Sequence, residues 1–271
     1  MVRRAAAAAR FRGGPVRALL LDYGLTLVTF ARPSAALLKA HEEVVRLLQA
    51  AGVGPIPTAE TLVVEVHDRV DEAVARHEAA GHLREIDAVA EERRAYAALG
   101  LHLPEPLLDE VSAIAQRAWW EGVVVPDGTV TTLEELRGRG LRLGLCSNAP
   151  YRAPSLHAQL AHLGLAGLFD SVTFSSEVGW RKPAPQIFAA ALRALNAEAC
   201  RTAMVGDRRH EDVGGARAAG MATIRTREHS EDGGPDDADA VIDRISDLVP
   251  LLFPSHDRDK RGSVGGDDTS G

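Results

Sequence analysis

Five short apolar runs, each ending in polar or turn residues and followed by a stretch with helical spacing, limit what this chain can fold into more than any other feature. They lie at residues 16–22, 141–147, 171–174, 202–207 and 222–225. Strands that alternate with helices predict a parallel sheet covered by helices on both faces, since parallel neighbours need a helix-length crossover. Ligands of such sheets bind beyond the carboxyl ends of the strands, so chemistry is expected from the polar residues there.

One long segment breaks the alternation. From about residue 34 to 121 apolar residues recur at helical spacing, as in Ala36, Leu37, Ala40, Val44 and Leu47, or Val63, Val66, Val70 and Val74, with breaks at GVGPIPT, AGHL and LHLPEP. This predicts roughly four helices inserted after the first strand, lying over the strand ends as a cap. The expected boundaries are a helical cap over 32–122 and a core assembled from 16–31 and 123–252. A disordered basic tail is expected at 1–15 and a second disordered tail, glycine-rich and charged, at 253–271. The alanine run near the start is broken by Arg10 and is too short for the core of an export signal. Trp119 and Trp120 close the last cap helix and are expected to pack chiefly within the cap.

Charge and cysteine content exclude several classes. With 31 Lys and Arg against 38 Asp and Glu, the net charge of −7 leaves no electrostatic footprint for nucleic acid. No run of about 18 apolar residues is present, so no membrane partner is expected. Cys146 and Cys200 are too few for a disulfide framework and match no metal-ligand spacing; two buried thiols in a reducing, cytoplasmic setting are expected.

The strand ends supply the candidate chemistry. Asp22 closes ALLLD, with Thr26 four residues on; LRLGLCSN ends in Ser147 and Asn148; GWRKPAPQIF offers Lys182; AMVGDRRHEDVGGARAAG offers Asp207 and Asp212. Singly, each has an ordinary explanation as a turn, a helix cap or a solvated lysine. Together, each at the end of a parallel strand, they bring three carboxylates, a hydroxyl and an ammonium to one sheet edge. Carboxylates that close repel, and a hard divalent cation such as Mg²⁺ relieves the repulsion. Lys182, Ser147 and nearby backbone N–H groups add donors that suit a phosphoryl group.

In these motifs the chain resembles the haloacid dehalogenase superfamily, in its subgroup with a helical cap inserted after the first motif. The similarity covers about residues 16–252, and RKPAPQIF and VGDRRHEDVGGARAAGM are its most specific stretches. The resemblance implies a Rossmann-like α/β core and a hydrolase, most naturally a phosphatase acting on a small phosphorylated metabolite. It implies Asp22 as nucleophile, Ser147, Asn148 and Lys182 as phosphate-binding groups, and Mg²⁺ ligands at Asp22, the Gly24 carbonyl, Asp207 and Asp212. Asp22 would attack in line to form an aspartyl phosphate, which water then hydrolyses, with Lys182 also orienting Asp22.

One position departs from the pattern. Family phosphatases usually carry a second aspartate two residues after the nucleophile, serving as general acid and then base; here that residue is Gly24. Such catalysis contributes about 10²- to 10⁴-fold, or about 2.7 to 5.4 kcal/mol of barrier. A leaving group that departs unprotonated, a proton from elsewhere, or loss of turnover could each accommodate the change. A 2-haloacid dehalogenase needs neither acid nor metal, but has no use for the pair Asp207 and Asp212. A phosphonate hydrolase would recruit a cap lysine, yet Lys39 comes too early and on a solvated face. A non-catalytic phosphometabolite-binding regulator is the alternative outside enzymes. Substrate selection is expected from the cap and VTFARPS, with Phe30, Arg32, His67, His77 and Trp120 as entrance candidates. Among Arg208, Arg209 and His210 one could reach substrate, and strand alternation would turn Tyr23 away from Asp22.

Overall fold

The computed structural model describes residues 15–230 and 237–254. Among them the strands are β1 (Ala18–Leu21), β2 (Thr29–Phe30), β3 (Val123–Val124), β4 (Arg142–Ser147), β5 (Ser171–Phe174), β6 (Thr202–Gly206), β7 (Ala222–Thr226) and β8 (Ala240–Ile242). Six form one sheet in the order β5-β4-β1-β6-β7-β8, and every pairing in it is parallel. The five apolar runs supply all but β8, which is three residues inside the polar sequence DDADAVID and carries too little pattern to stand out.

The central strands read as unbroken apolar runs because both faces are covered. Leu19 and Leu21 pack with Leu143, Leu145, Val205 and Ile224 on one face. Ala18 and Leu20 pack on the other with Met204 and with Ile187, Phe188 and Ala191 of the helix Pro185–Ala194. Leu19, Leu20 and Leu21 are fully buried, each contributing about 1.5–3 kcal/mol of transfer free energy.

The insertion is helical, as its spacing predicts. It comprises α1 (Ser34–Ala50), α2 (residues 59–79, π-helical over Val63–Asp68), α3 (Ala88–Ala98) and α4 (Glu105–Ala118). Thr58 caps α2, its Oγ1 accepting from Thr61 N at 3.3 Å, and Asp87 caps α3 by accepting from Ala90 N at 2.9 Å. The stripe Leu37, Val44 and Leu48 of α1 meets Leu62 and Val66 of α2 and Leu108 and Val111 of α4, giving the cap its own apolar centre.

The hinge between core and cap is a two-residue antiparallel flap in which Thr29 pairs with Val124 and Phe30 with Val123. It is too short to show alternation in sequence. Farther out, polar contacts fasten cap to core. Tyr151 Oη donates to Asp71 Oδ1 at 2.8 Å, Arg152 Nη1 meets Asp109, Arg181 Nη2 donates to Glu78 Oε1 at 2.5 Å, and Arg84 lies over the Trp180 ring at 4.4 Å.

Two expectations need correction. The thiols are not both buried: Cys146 is inside β4, but Cys200 is exposed on the turn Ala199–Arg201. Phe253, assigned to the second tail, packs on the core beneath the Arg139 guanidinium, 5.0 Å from the ring centroid. The remainder of both expected tails, apart from Pro15 and Pro254, lies outside the described residues. No helix among the described residues is long and apolar enough to cross a membrane.

Candidate active site

Register alone brings the first residues together. Leu21 pairs with both Leu145 and Val205, so Asp22 leaves β1 level with Cys146 and Gly206, one residue short of Ser147 and Asp207. Asp22 N donates to Val205 O at 2.9 Å, which keeps the carboxylate at the sheet edge after the strand has ended. The chain then folds back: Leu27 N and Val28 N both donate to Tyr23 O, at 2.9 and 3.2 Å. Leu25 takes φ +56° in this turn, a left-handed conformation unfavourable for a leucine and held here by the Leu25 N to Val28 O bond of 2.8 Å.

Lys182 is the hub. Its Nζ donates to Asp22 Oδ1 at 2.7 Å and to Asp212 Oδ1 at 2.5 Å, with only 3% of the residue exposed. Asn148, expected among the phosphate-binding groups, uses its side chain to hold the Lys182 main chain: Lys182 N donates to Asn148 Oδ1 at 2.7 Å, and Asn148 Nδ2 donates to Lys182 O at 3.1 Å. Asp212 also accepts from Arg208 N at 3.0 Å through Oδ2. Its carboxyl lies so close to the end of β6 that a Cβ at Gly206 would stand 2.2 Å from Asp212 Cγ, so only glycine fits there.

Ligand oxygens of Asp22, Asp207 and Asp212 lie within 4.8 Å of one another. Three carboxylates against one ammonium leave a surplus of negative charge in a buried site. Burial, with the Asp22 charge, pushes Asp207 up to about 6; burial, with Asp22 and Asp207, pushes Asp212 up to about 7 against the pull of Lys182. Burial opposes the Lys182 charge, but Asp212 and Asp22 outweigh it and raise its pKa above the ordinary lysine value. Asp207 Oδ1 is buried without a hydrogen-bond partner. A hard all-oxygen donor set, surplus charge and an orphaned carboxylate oxygen together fit a divalent cation such as Mg²⁺.

The place beside Gly24 is taken by an aromatic ring. A Cβ at Gly24 would stand 2.8 Å from Phe30 Cε2, and Phe30 packs edge-on to Tyr23 with ring centroids 6.0 Å apart. The flap thus puts an apolar edge where the second motif aspartate would project.

Above these groups is a cavity of about 440 Å³ between core and cap. Asp22, Gly24, Ser147, Asn148 and Lys182 border it, while Asp207 and Asp212 lie buried behind. Of the entrance candidates, Phe30, His67 and Trp120 line it. Arg32 instead pairs with Asp68 at 2.6 Å, and His77 Nε2 donates to Arg84 O at 2.7 Å. Arg208 lines the cavity, whereas Arg209, His210 and the exposed Lys39 are not part of its wall. Tyr23 belongs to the Leu19 and Leu21 face of the core, as alternation predicts, yet also borders the cavity. Trp119 and Trp120 reach further than cap packing: both line the cavity, Trp119 Nε1 donates to His67 Nε2 at 3.2 Å, and Trp120 stacks on His162 of the core.

Sequence reasoning missed Tyr151, Arg152, His41, Glu92 and Gln116, all of which line the cavity. The first two carry a signal, since APYRAP directly follows the Ser147-Asn148 strand end. The cap residues carry none, because their neighbours are remote in sequence.

A family model described as haloacid dehalogenase-like hydrolase matches residues 16–220. The glyceraldehyde 3-phosphate phosphatase of Methanopyrus kandleri is 30% identical over 244 residues, covering 88% of this chain and 97% of that relative. The enzyme of the same name from Methanothermobacter thermautotrophicus is 39% identical over 132 residues, covering 46% of this chain and 57% of the relative, little more than half its length. In fold, the chain is similar to the crystal structure of a 2-haloacid dehalogenase from Pseudomonas syringae pv. Tomato, with TM-score 0.62 and 24% identity over 88% of this chain and 98% of that one.

Proposed function

The chain belongs to the haloacid dehalogenase-like hydrolases, and from that premise we propose that it is a Mg²⁺-dependent phosphatase of a small phosphorylated metabolite, working through an aspartyl phosphate at Asp22. The observation that carries this reading is the buried trio Asp22, Asp207 and Asp212 with Lys182 bonded to two of its members. Relatives named for glyceraldehyde 3-phosphate support the substrate class. Residues 32–122 serve as cap, and 16–31 with 123–252 as core. The unpaired thiols suit a reducing, cytoplasmic setting, and the net charge of −7 argues against a nucleic-acid partner.

Mg²⁺, when held by Asp22, the Gly24 carbonyl, Asp207 and Asp212, supplies positive charge that offsets the carboxylates and the substrate phosphate. Lys182 fixes one oxygen of Asp22 and the other attacks phosphorus in line; the P–O bond to the leaving group breaks, the leaving oxygen departs as its anion and takes a proton from water, and the phosphoryl group stays on Asp22. Ser147 and Lys182 hold the phosphate oxygens, and Asn148 keeps Lys182 in register through its main chain. Water then releases phosphate and regenerates the carboxylate.

The test is phosphate release from p-nitrophenyl phosphate and a panel of small phosphorylated metabolites with Mg²⁺. Activity abolished by chelation and by Asp22→Asn is the expected result. Chloride release from a 2-haloacid in the presence of chelator would favour a dehalogenase instead.

A further inference from the structure

Away from Asp22 the cavity wall carries a second polar cluster that the reaction above does not use. Arg152, the residue before the helix Ala153–His162, has its Nη1 on Asp109 of α4. Its Nε and Nη2 are buried and have no hydrogen-bond partner. These two nitrogens form the side edge of the guanidinium, whose parallel N–H groups match the two oxygens of a carboxylate. Arg152 lines the cavity, and a buried guanidinium edge without an acceptor is costly, which calls for an acceptor that arrives with a ligand.

The surrounding groups set the charge of that ligand. Asp109, Ser112 and Gln116 are spaced along one face of α4; Gln116 also lines the cavity, and its Oε1 is likewise buried without a partner. Ser112 Oγ lies 2.7 Å from Leu108 O and also contacts Glu92. The hydroxyl has one proton and the carbonyl can only accept, so both contacts are satisfied when Glu92 carries a proton and donates to Ser112. Burial pushes Glu92 in the same direction, to about 7. With Glu92 neutral, Arg152 and the half-exposed Asp109 are the charged pair of this cluster, and the Nε–Nη2 edge that Asp109 leaves free offers two parallel donors, the pattern a carboxylate matches.

We propose that the substrate is the phosphate monoester of a carboxylic acid, with its phosphoryl group at Asp22 and Lys182 and its carboxylate on the Nε–Nη2 edge of Arg152. This rests on the phosphatase reading and narrows it. Cap and core both shape the subsite, Arg152 from the core loop that follows Ser147 and Asp109 of α4 holding its Nη1.

The experiment compares ω-carboxyalkyl phosphates of increasing chain length with the matching ω-amides, reading kcat and KM for each. The wild-type protein is expected to prefer the acid of the best-fitting length over its amide by about 10- to 100-fold in kcat/KM. Arg152→Gln should erase that ratio through KM, Arg152→Lys should restore part of it, and Asp109→Asn, which loosens only the cap contact, should keep it. Equal kcat/KM for acid and amide at every length, or an unchanged ratio in Arg152→Gln, overturns the proposal. A stronger preference for α,ω-alkane bisphosphates overturns the carboxylate assignment. Failure of the phosphatase reading is recognised separately, as no Mg²⁺-dependent phosphate release from any of these or from p-nitrophenyl phosphate. In that event calorimetric binding of the same pairs to Asp22→Asn decides the subsite, acid over amide supporting it and parity refuting it.

Discussion

Restoring the missing acid is the perturbation that asks most of this account. In Gly24→Asp the new Cβ would stand 2.8 Å from Phe30 Cε2, against 3.4–4 Å for ordinary contact, so the ring must retreat by at least about 0.6 Å. Phe30 is 45% exposed and rests edge-on against Tyr23, so it can swing toward solvent at a cost of about 1 kcal/mol. Phe30→Ala removes the obstruction and costs about 1–2 kcal/mol of half-buried ring. In the wild type the leaving oxygen departs without a proton from position 24, so kcat/KM should fall steeply as the leaving-group alcohol becomes less acidic. The assay is a series of aryl and alkyl phosphates with Mg²⁺, plotted against leaving-group pKa. Gly24→Asp combined with Phe30→Ala should flatten the slope, with alkyl phosphates gaining up to the ~10²- to 10⁴-fold of a general acid and nitrophenyl phosphate gaining little. The single Gly24→Asp should gain less than the pair. A wild-type slope already shallow would mean that another residue donates the proton, and an unchanged slope in the double variant would refute the role given to position 24.

Two further outcomes follow from the buried charges. Lys182→Met leaves Asp22 and Asp212 without their ammonium, and urea melts of the metal-free protein should lose about 3–5 kcal/mol while phosphate release falls by at least about 10²-fold. Glu92 is held up to about 7 against 4.5 for an ordinary glutamate, which at 1.36 kcal/mol per unit corresponds to about 3 kcal/mol. Because its folded-state pKa is the higher one, that stability is present below about pH 4.5 and lost as pH rises through about 7. Glu92→Gln should therefore gain about 3 kcal/mol relative to wild type between about pH 5 and pH 8 in urea melts, and parallel curves would contradict the neutral Glu92.

Sequence made the candidate edge legible because buried parallel strands leave continuous apolar runs, and the runs at 16–22, 141–147 and 202–207 end on residues that the register brings together. Asp22, Ser147 and Asp207 needed only strand ends to be found, and Lys182 and Asp212 only motif spacing. The flap was illegible at two residues per strand, and with it the ring that fills the space beside Gly24. Arg152 and Glu92 were illegible for another reason: their meaning comes from partners on other elements, Asp109 and Ser112, and from hydrogen bonds not made. Cys200 went wrong because a thiol in a turn has no periodicity to mark it as exposed.

The central claim is a phosphoryl group carried on Asp22. Glycine at position 24 removes the carboxylate that would activate water in the second half-reaction together with the acid of the first, so the aspartyl phosphate should accumulate. Rapid mixing with p-nitrophenyl phosphate and Mg²⁺ should give a burst of nitrophenolate approaching one per protein. Acid quenching should place the phosphoryl mass on the peptide containing Asp22, with neither signal in Asp22→Asn. Steady Mg²⁺-dependent turnover with no burst and no labelled peptide would contradict the account.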